Sequence, residues 1–196
     1  MAMPAPVDHD EKRREIAAIA ADLIAERGLE AATIRQIAAR AGFSTTVVTH
    51  YFANKRALLR AAYRHAAEST QQRFDALAGS ELSDPLARLE ILLPIDEDGR
   101  RAWRVYFQFW PMADHDPELA EEQRWWSANA VGLAREALKI AYPHVDDIDR
   151  RATMAVSALQ GIAIQSLFDP DNWPAERQRE FWRANARLIM GDRAIR

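Results

Sequence analysis

The sequence predicts an all-α protein: a small N-terminal group of three helices, joined by a long helix to a larger helical body. Three observations carry that prediction. Apolar residues recur at helical spacing along the chain, with no convincing strand-like alternation. Capping residues, prolines and glycines punctuate the pattern where helices should begin and end. No repeat, low-complexity tract or long linker interrupts it.

Each element has its own signal. The first helix opens at Asp8-x-x-Glu11, presents Ile16, Ile19, Ala20, Leu23 and Ile24 on one face and stops at Gly28, because aspartate caps free amides and glycine tolerates a left-handed exit. Thr33 and Gln36 form a capping-box pattern ahead of a short helix carrying Ile34, Ile37, Ala38 and Ala41, which Gly42 ends. Ser44 caps a second short helix running to about Tyr51. Asn54 caps a long one through Leu58, Leu59 and Ala62 toward Leu77, ended by Gly79 and Ser80. Asp84-Pro85 and Asp116-Pro117 each place a cap before a proline at the first helical position, where the missing amide costs nothing. The body helices are expected near residues 84–94, 101–112, 116–141, 147–168 and 175–190, with breaks at Pro94–Gly99, Tyr142-Pro143 and Asp169–Pro174.

At 196 residues the chain can build a core without staples, and with no cysteine it has no disulfide, thiolate nucleophile or cysteine metal site. That composition suits a reducing cytoplasm, the expected location. No apolar run approaches the roughly 18 residues a membrane helix needs, and Met1 to Asp10 lacks the pattern of a secretion signal. The formal net charge of -3 argues at first against a nucleic-acid partner, but the charge is unevenly spread. Residues 31–67 hold six basic side chains and no acid; residues 1–30 hold four against seven, and residues 68–196 sixteen against twenty-two.

The acid-free stretch contains the pattern of a helix-turn-helix. Ile34, Ile37, Ala38 and Ala41 supply the inner face of its first helix, Gly42 permits the turn, and Phe43, Val48 and Phe52 fill the core. Small Ala38 lets the second helix cross closely and project Thr45, Thr46, Thr49 and His50 toward a major groove. Threonine can meet base edges through its hydroxyl and thymine through its methyl, and histidine can donate to base or phosphate. Lys55, Tyr51, Thr33 and the helix N-terminal amides are candidate phosphate contacts, and Arg35 and Ser44 complete the expected DNA-binding set.

The run Thr33-Ile34-Arg35-Gln36-Ile37-Ala38-Ala39-Arg40-Ala41-Gly42-Phe43-Ser44, with His50-Tyr51-Phe52-Ala53-Asn54-Lys55 and Leu58-Leu59, resembles the DNA-binding domain of the TetR family of transcriptional regulators over about residues 11–65. The resemblance implies a homodimer of about nine helices per chain, with a helix-turn-helix domain in residues 1–54 (the motif itself about 33–52) and a ligand-binding and dimerisation domain in residues 55–196. It implies a recognition helix from Ser44 to Tyr51, with Thr33, Tyr51 and Lys55 at the family's phosphate-contacting positions. Thr46 stands where the family usually has glycine and Thr49 where it usually has tyrosine, so an operator sequence cannot be borrowed from relatives. The pattern Val156 to Asp171 is similar to the penultimate helix of the branch that includes choline-responsive betaine regulators.

In that family the last two helices form a four-helix dimer bundle. Here the 147–168 helix is apolar on more than one face, which a single-sided core would not require, and Ala155, Leu159, Ile162, Phe181 and Leu188 are the expected interface. Trp103, Tyr106, Phe107 and Trp110 fall on one helical face; with Trp126 they are candidate walls of an effector pocket, and Tyr106, Gln108, Asn129 and Gln165 its candidate polar contacts, the alternative being plain core. Asp96-Glu97-Asp98-Gly99 reads as an exposed loop too short for calcium, and Asp114-His115-Asp116 as a turn and cap. No catalytic set, metal site or cofactor is expected. The expected function is a ligand-responsive DNA-binding regulator, a repressor that releases a palindromic operator. The rivals are a ligand-binding helical protein with a structural helix-turn-helix, a metal-sensing regulator using His65, and a cofactor-independent enzyme.

Overall fold

A computed structural model describes residues 6–78 and 84–191. Among them are nine α-helices: α1 (Pro6–Arg27), α2 (Ile34–Ala41), α3 (Thr45–Tyr51), α4 (Lys55–Ala78), α5 (Pro85–Leu89), α6 (Glu97–Ala113), α7 (Pro117–Ala141), α8 (Ile148–Phe168) and α9 (Ala175–Met190). No strand occurs among the described residues. Gly79 and Ser80, the expected end of the long helix, lie outside them. The chain divides into two compact units, residues 1–69 with 104–120, and residues 70–103 with 121–196. Thus α4, α6 and α7 each begin in one unit and finish in the other.

In the first unit, α1 packs on α2 and α2 on α3. The predicted stripe of α1 is the buried one: Ile16, Ala20, Leu23 and Ile24 are enclosed together with Ile37, Val48, Phe52, Leu58 and Leu59. Burying each large aliphatic side chain contributes about 1.5–3 kcal/mol, so this small motif holds its shape through its own core. Val105, Phe109 and Leu119 are buried in the same unit.

In the second unit α8 lies along α9, and the core gathers Phe74, Leu89, Leu93, Leu138, Ala155, Leu159, Ile162 and Trp182. The Trp182 indole N–H donates to the Leu86 carbonyl at 3.0 Å, satisfying the one polar atom of a fully enclosed ring. Glu90 is buried between the guanidinium groups of Arg179 and Arg183, at 3.1 and 3.0 Å. Two partners satisfy both oxygens of a carboxylate that would be costly to enclose alone.

Two boundaries differ from expectation. The helix at Asp84 starts as predicted, its carboxylate accepting from Leu86 N–H at 2.9 Å, but leaves α geometry at Glu90–Leu92 for a 3-10 turn. Leu93 precedes Pro94 and is extended (ψ 152°), the conformation proline imposes on its predecessor. The supposed loop at Asp96–Gly99 is the start of α6. Asp96 caps it, accepting from Gly99 N–H at 2.7 Å, and Glu97 and Asp98 place negative charge on the first turn. Gly99 is required there by space: a Cβ would lie 2.6 Å from the Leu93 carbonyl oxygen.

Candidate nucleic-acid interface

The turn is built by local chemistry. Thr33 caps α2, its hydroxyl accepting from Gln36 N–H at 3.2 Å and donating to Gln36 Oε1 at 3.3 Å. Thr33 N–H goes instead to the Ala31 carbonyl at 2.8 Å, so only the forward half of the capping box forms. Gly42 adopts φ 70°, ψ 21°, the left-handed exit that favours glycine, and Phe43 N–H bonds back to the Ala38 carbonyl at 2.9 Å. Ser44 then caps α3 through Val47 N–H at 3.2 Å, and Asn54 caps α4 through Ala57 N–H at 2.8 Å.

Val48 turns inward from α3, while Thr45, Thr46, Thr49 and His50 are exposed and Tyr51 is half-buried. Thr33, Arg35, Ser44 and Lys55 are exposed as well. The Thr49 hydroxyl lies 3.1 Å from the carbonyls of both Thr45 and Thr46. Its single proton is spent on the helix, and outward it offers a methyl group and an oxygen that accepts.

The charge of this region is smaller than the sequence count implies. Arg40 forms a paired hydrogen bond with Glu26 at 2.5 and 2.6 Å. Arg56 bonds Asp116 and Glu118, each at 3.0 Å, and Arg60 reaches Glu118 at 3.6 Å. The Glu26 hydrogen bond raises the Arg40 guanidinium, and the Asp116 hydrogen bond raises that of Arg56. For Asp116, burial alone would raise the carboxyl. The Arg56 hydrogen bond and charge and the amides of Leu119 and Glu118 outweigh it, holding Asp116 below the usual carboxylate range. Arg35 and Lys55 have no carboxylate at ion-pair distance among the described residues. Arg40, Arg56 and Arg60 are thus matched by acids that lie outside the acid-free stretch.

One residue beside this surface escaped the sequence reading. His9, exposed in the first turns of α1, sits with its ring 4.6 Å from Tyr51 and 5.9 Å from His50, whose rings are themselves 5.4 Å apart. Lys12 and Arg13 follow it over the rings of Phe43 and Phe52, at 4.4 and 5.3 Å. No spacing rule links His9 to α3; only the packing of α1 does.

The other expected residues fall as follows. In the first unit, Tyr106 donates to the Ala66 carbonyl at 3.1 Å and packs edge-on against Tyr63, while Phe107 and Trp110 are half-buried. In the second, Trp103 is buried and donates to the Leu92 carbonyl at 2.9 Å, Trp126 donates to Glu122 at 2.9 Å, Asn129 donates to Gln71 at 2.7 Å, and Gln165 is exposed. A small recess of about 10 Å³ in the first unit is lined by Ile24, Leu29, Leu59, Val105, Gln108, Phe109 and Met112. Of the candidate pocket residues Gln108 lines it, and Trp103, Tyr106, Phe107, Trp110, Trp126, Asn129 and Gln165 do not. Of the residues expected to meet a partner, Ala155, Leu159 and Ile162 are enclosed in the core of their own unit. Phe181 and Leu188 are exposed, as are Met154 and Phe168. The helix has apolar faces on two sides, and Trp182 of α9 belongs to the same core as the side first chosen. Among the described residues no three His, Asp or Glu side chains gather as a metal would require, and no helix is long and apolar enough to cross a membrane.

Comparison with known proteins gives agreement over both parts of the chain. The family model described as bacterial regulatory proteins, tetR family, matches residues 16–62, and that of the BetI-type transcriptional repressor C-terminal region matches residues 86–190. The HTH-type transcriptional regulator PksA of Bacillus subtilis is 30% identical over 178 residues, covering 86% of this chain and 84% of that protein. The HTH-type transcriptional regulator BetI of Stenotrophomonas maltophilia is 34% identical over 120 residues, covering 58% of this chain and 60% of that protein. A transcriptional regulator from Rhodococcus superposes with a TM-score of 0.79 at 27% identity, covering 90% of this chain and 95% of its own. A regulator from Saccharomonospora viridis, crystallised in complex with choline, shares the fold with a TM-score of 0.72 at 24% identity, covering 89% and 95%.

Proposed function

Because the chain belongs to the TetR family of transcriptional regulators and carries a BetI-type C-terminal region, we propose that it represses transcription as a homodimer holding a two-fold symmetric operator. One observation carries this reading: α3 turns an exposed row of threonines and His50 outward, flanked by the capped N-termini of α2 and α4 and by Arg35 and Lys55, the cations without acid partners. In this reading Thr45, Thr46, Thr49 and His50 meet base edges. Thr33, Arg35, Ser44, Tyr51, Lys55 and the helix-end amides hold phosphates. Two copies of α3 would enter successive major grooves about 34 Å apart.

The exposed Met154 and Phe168 of α8 and Phe181 and Leu188 of α9 are the proposed partner-facing residues. They are apolar side chains that two-fold pairing would remove from water. The effector is a small organic molecule that binds the operator-free state more tightly and so releases DNA by its difference in affinity. Tyr106, Phe107 and Trp110 of α6 are its candidate contacts, their faces suiting a flat or cationic molecule.

The test is fluorescence anisotropy with a labelled duplex taken from upstream of the protein's own coding region, titrated against unlabelled random duplex. Competitor-resistant, salt-sensitive binding that Thr45→Ala redirects to other sequences is the expected result. Binding with no preference over random DNA would overturn the reading.

A further inference from the structure

We propose that His9 belongs to the DNA-reading surface, as a positioning residue that holds Tyr51 and His50 from the α1 side and takes up a proton when DNA binds. The inference rests on the DNA-binding reading above. Its basis is the three-ring cluster: His9 to Tyr51 at 4.6 Å, His9 to His50 at 5.9 Å, His50 to Tyr51 at 5.4 Å.

The cluster joins the first turns of α1 to the last turn of α3. From α3, the groups facing His9 are His50 and Tyr51, and α3 carries no acid. On α1 the neighbouring acids Asp10 and Glu11 bond neither ring, Lys12 pairs with Glu15 at 3.2 Å, and Lys12 and Arg13 add positive charge along the same helix. Histidine exchanges its proton between pH 5 and 8. A phosphate docked beside an imidazole stabilises its charged form by opposite-charge attraction. The complex therefore favours the protonated form, with the proton entering from solvent. Affinity is greatest at low pH and is lost as pH rises through the value the group has in the complex.

The experiment measures affinity for a labelled random-sequence duplex of about 30 base pairs at fixed low salt, from pH 6 to 8. Each proton taken up contributes at most about tenfold per pH unit, so the wild-type chain should weaken by about tenfold or more across the range. His9→Phe keeps a ring against Tyr51 without the charge. Its ratio of affinities between pH 6 and pH 8 should fall at least about threefold below that of wild type. His9→Ala removes the ring as well and should bind more weakly at pH 8 too. A His9→Phe ratio equal to wild type, or His9→Ala as tight as wild type at pH 8, overturns the proposal. A wild-type chain that binds no duplex at any pH overturns the reading beneath it.

Discussion

Lys55 and Arg56 are adjacent cations at the start of α4, and the structure assigns them opposite behaviour. Lys55 is exposed and has no carboxylate at ion-pair distance among the described residues, whereas Arg56 is held by Asp116 and Glu118. A cation that neutralises a phosphate contributes about 0.9 to the slope of log affinity against log salt. A two-fold dimer carries Lys55 twice, so Lys55→Ala should lower the slope by about 1.8. Between 50 and 200 mM salt, a fourfold change, the deficit of the variant against wild type should therefore shrink by about twelvefold. Arg56→Ala removes a charge already spent within the protein, so its slope should stay within about 0.5 of wild type, while its melting temperature falls for want of the Asp116 partner. The assay is anisotropy with one labelled duplex across that salt range, with circular dichroism confirming that each variant is folded. Equal slope changes for the two variants, or none for Lys55→Ala, would refute the reasoning.

Gly99→Ala should lose about 1–3 kcal/mol in urea unfolding, because the new Cβ would lie 2.6 Å from the Leu93 carbonyl oxygen; an unchanged midpoint would mean the Leu93 turn yields freely. Leu188→Glu, at a side chain 80% exposed, should leave helix content intact and convert the chain from dimer to monomer in light scattering. A variant that stays dimeric places the interface elsewhere. Asp116→Asn keeps the shape of the α7 cap but not the charge. The wild-type carboxyl titrates below the usual range when folded, so its contribution is present above the unfolded value and lost as pH falls through the folded one. The melting deficit of the variant should thus be largest near neutral pH and shrink in acid. A deficit that grows in acid would contradict that sign.

Most helices were legible because their ends are written locally. Thr33, Ser44, Asn54 and Asp84 all cap where a capping residue stands, with hydrogen bonds to amides two or three residues on. The start of α6 was missed because three acids and a glycine look like a loop, although an aspartate cap followed by acids is also how a helix begins. What the sequence could not show were pairings across distance. Periodicity revealed that α8 is apolar on several faces, but not that Trp182 of α9 shares a core with the face bearing Leu159. Counting charges located the basic stretch, but Glu26, Asp116 and Glu118, which pair with Arg40, Arg56 and Arg60, come from outside it. His9 lies in a segment whose charge leans acidic, and folding alone places it beside His50.

Those remote acids have a consequence for how a regulator is distributed inside a cell. Nearly all DNA it meets is irrelevant, and every unmatched cation strengthens its hold on irrelevant and relevant sites alike. On the proposed reading, spending Arg40, Arg56 and Arg60 on its own carboxylates weakens the hold common to all sequences and leaves a larger share of discrimination to the threonine face of α3. Under that proposal Glu26, Asp116 and Glu118 act as a restraint on idle occupancy: removing one is expected to make the chain bind random DNA more strongly and find its operator less often.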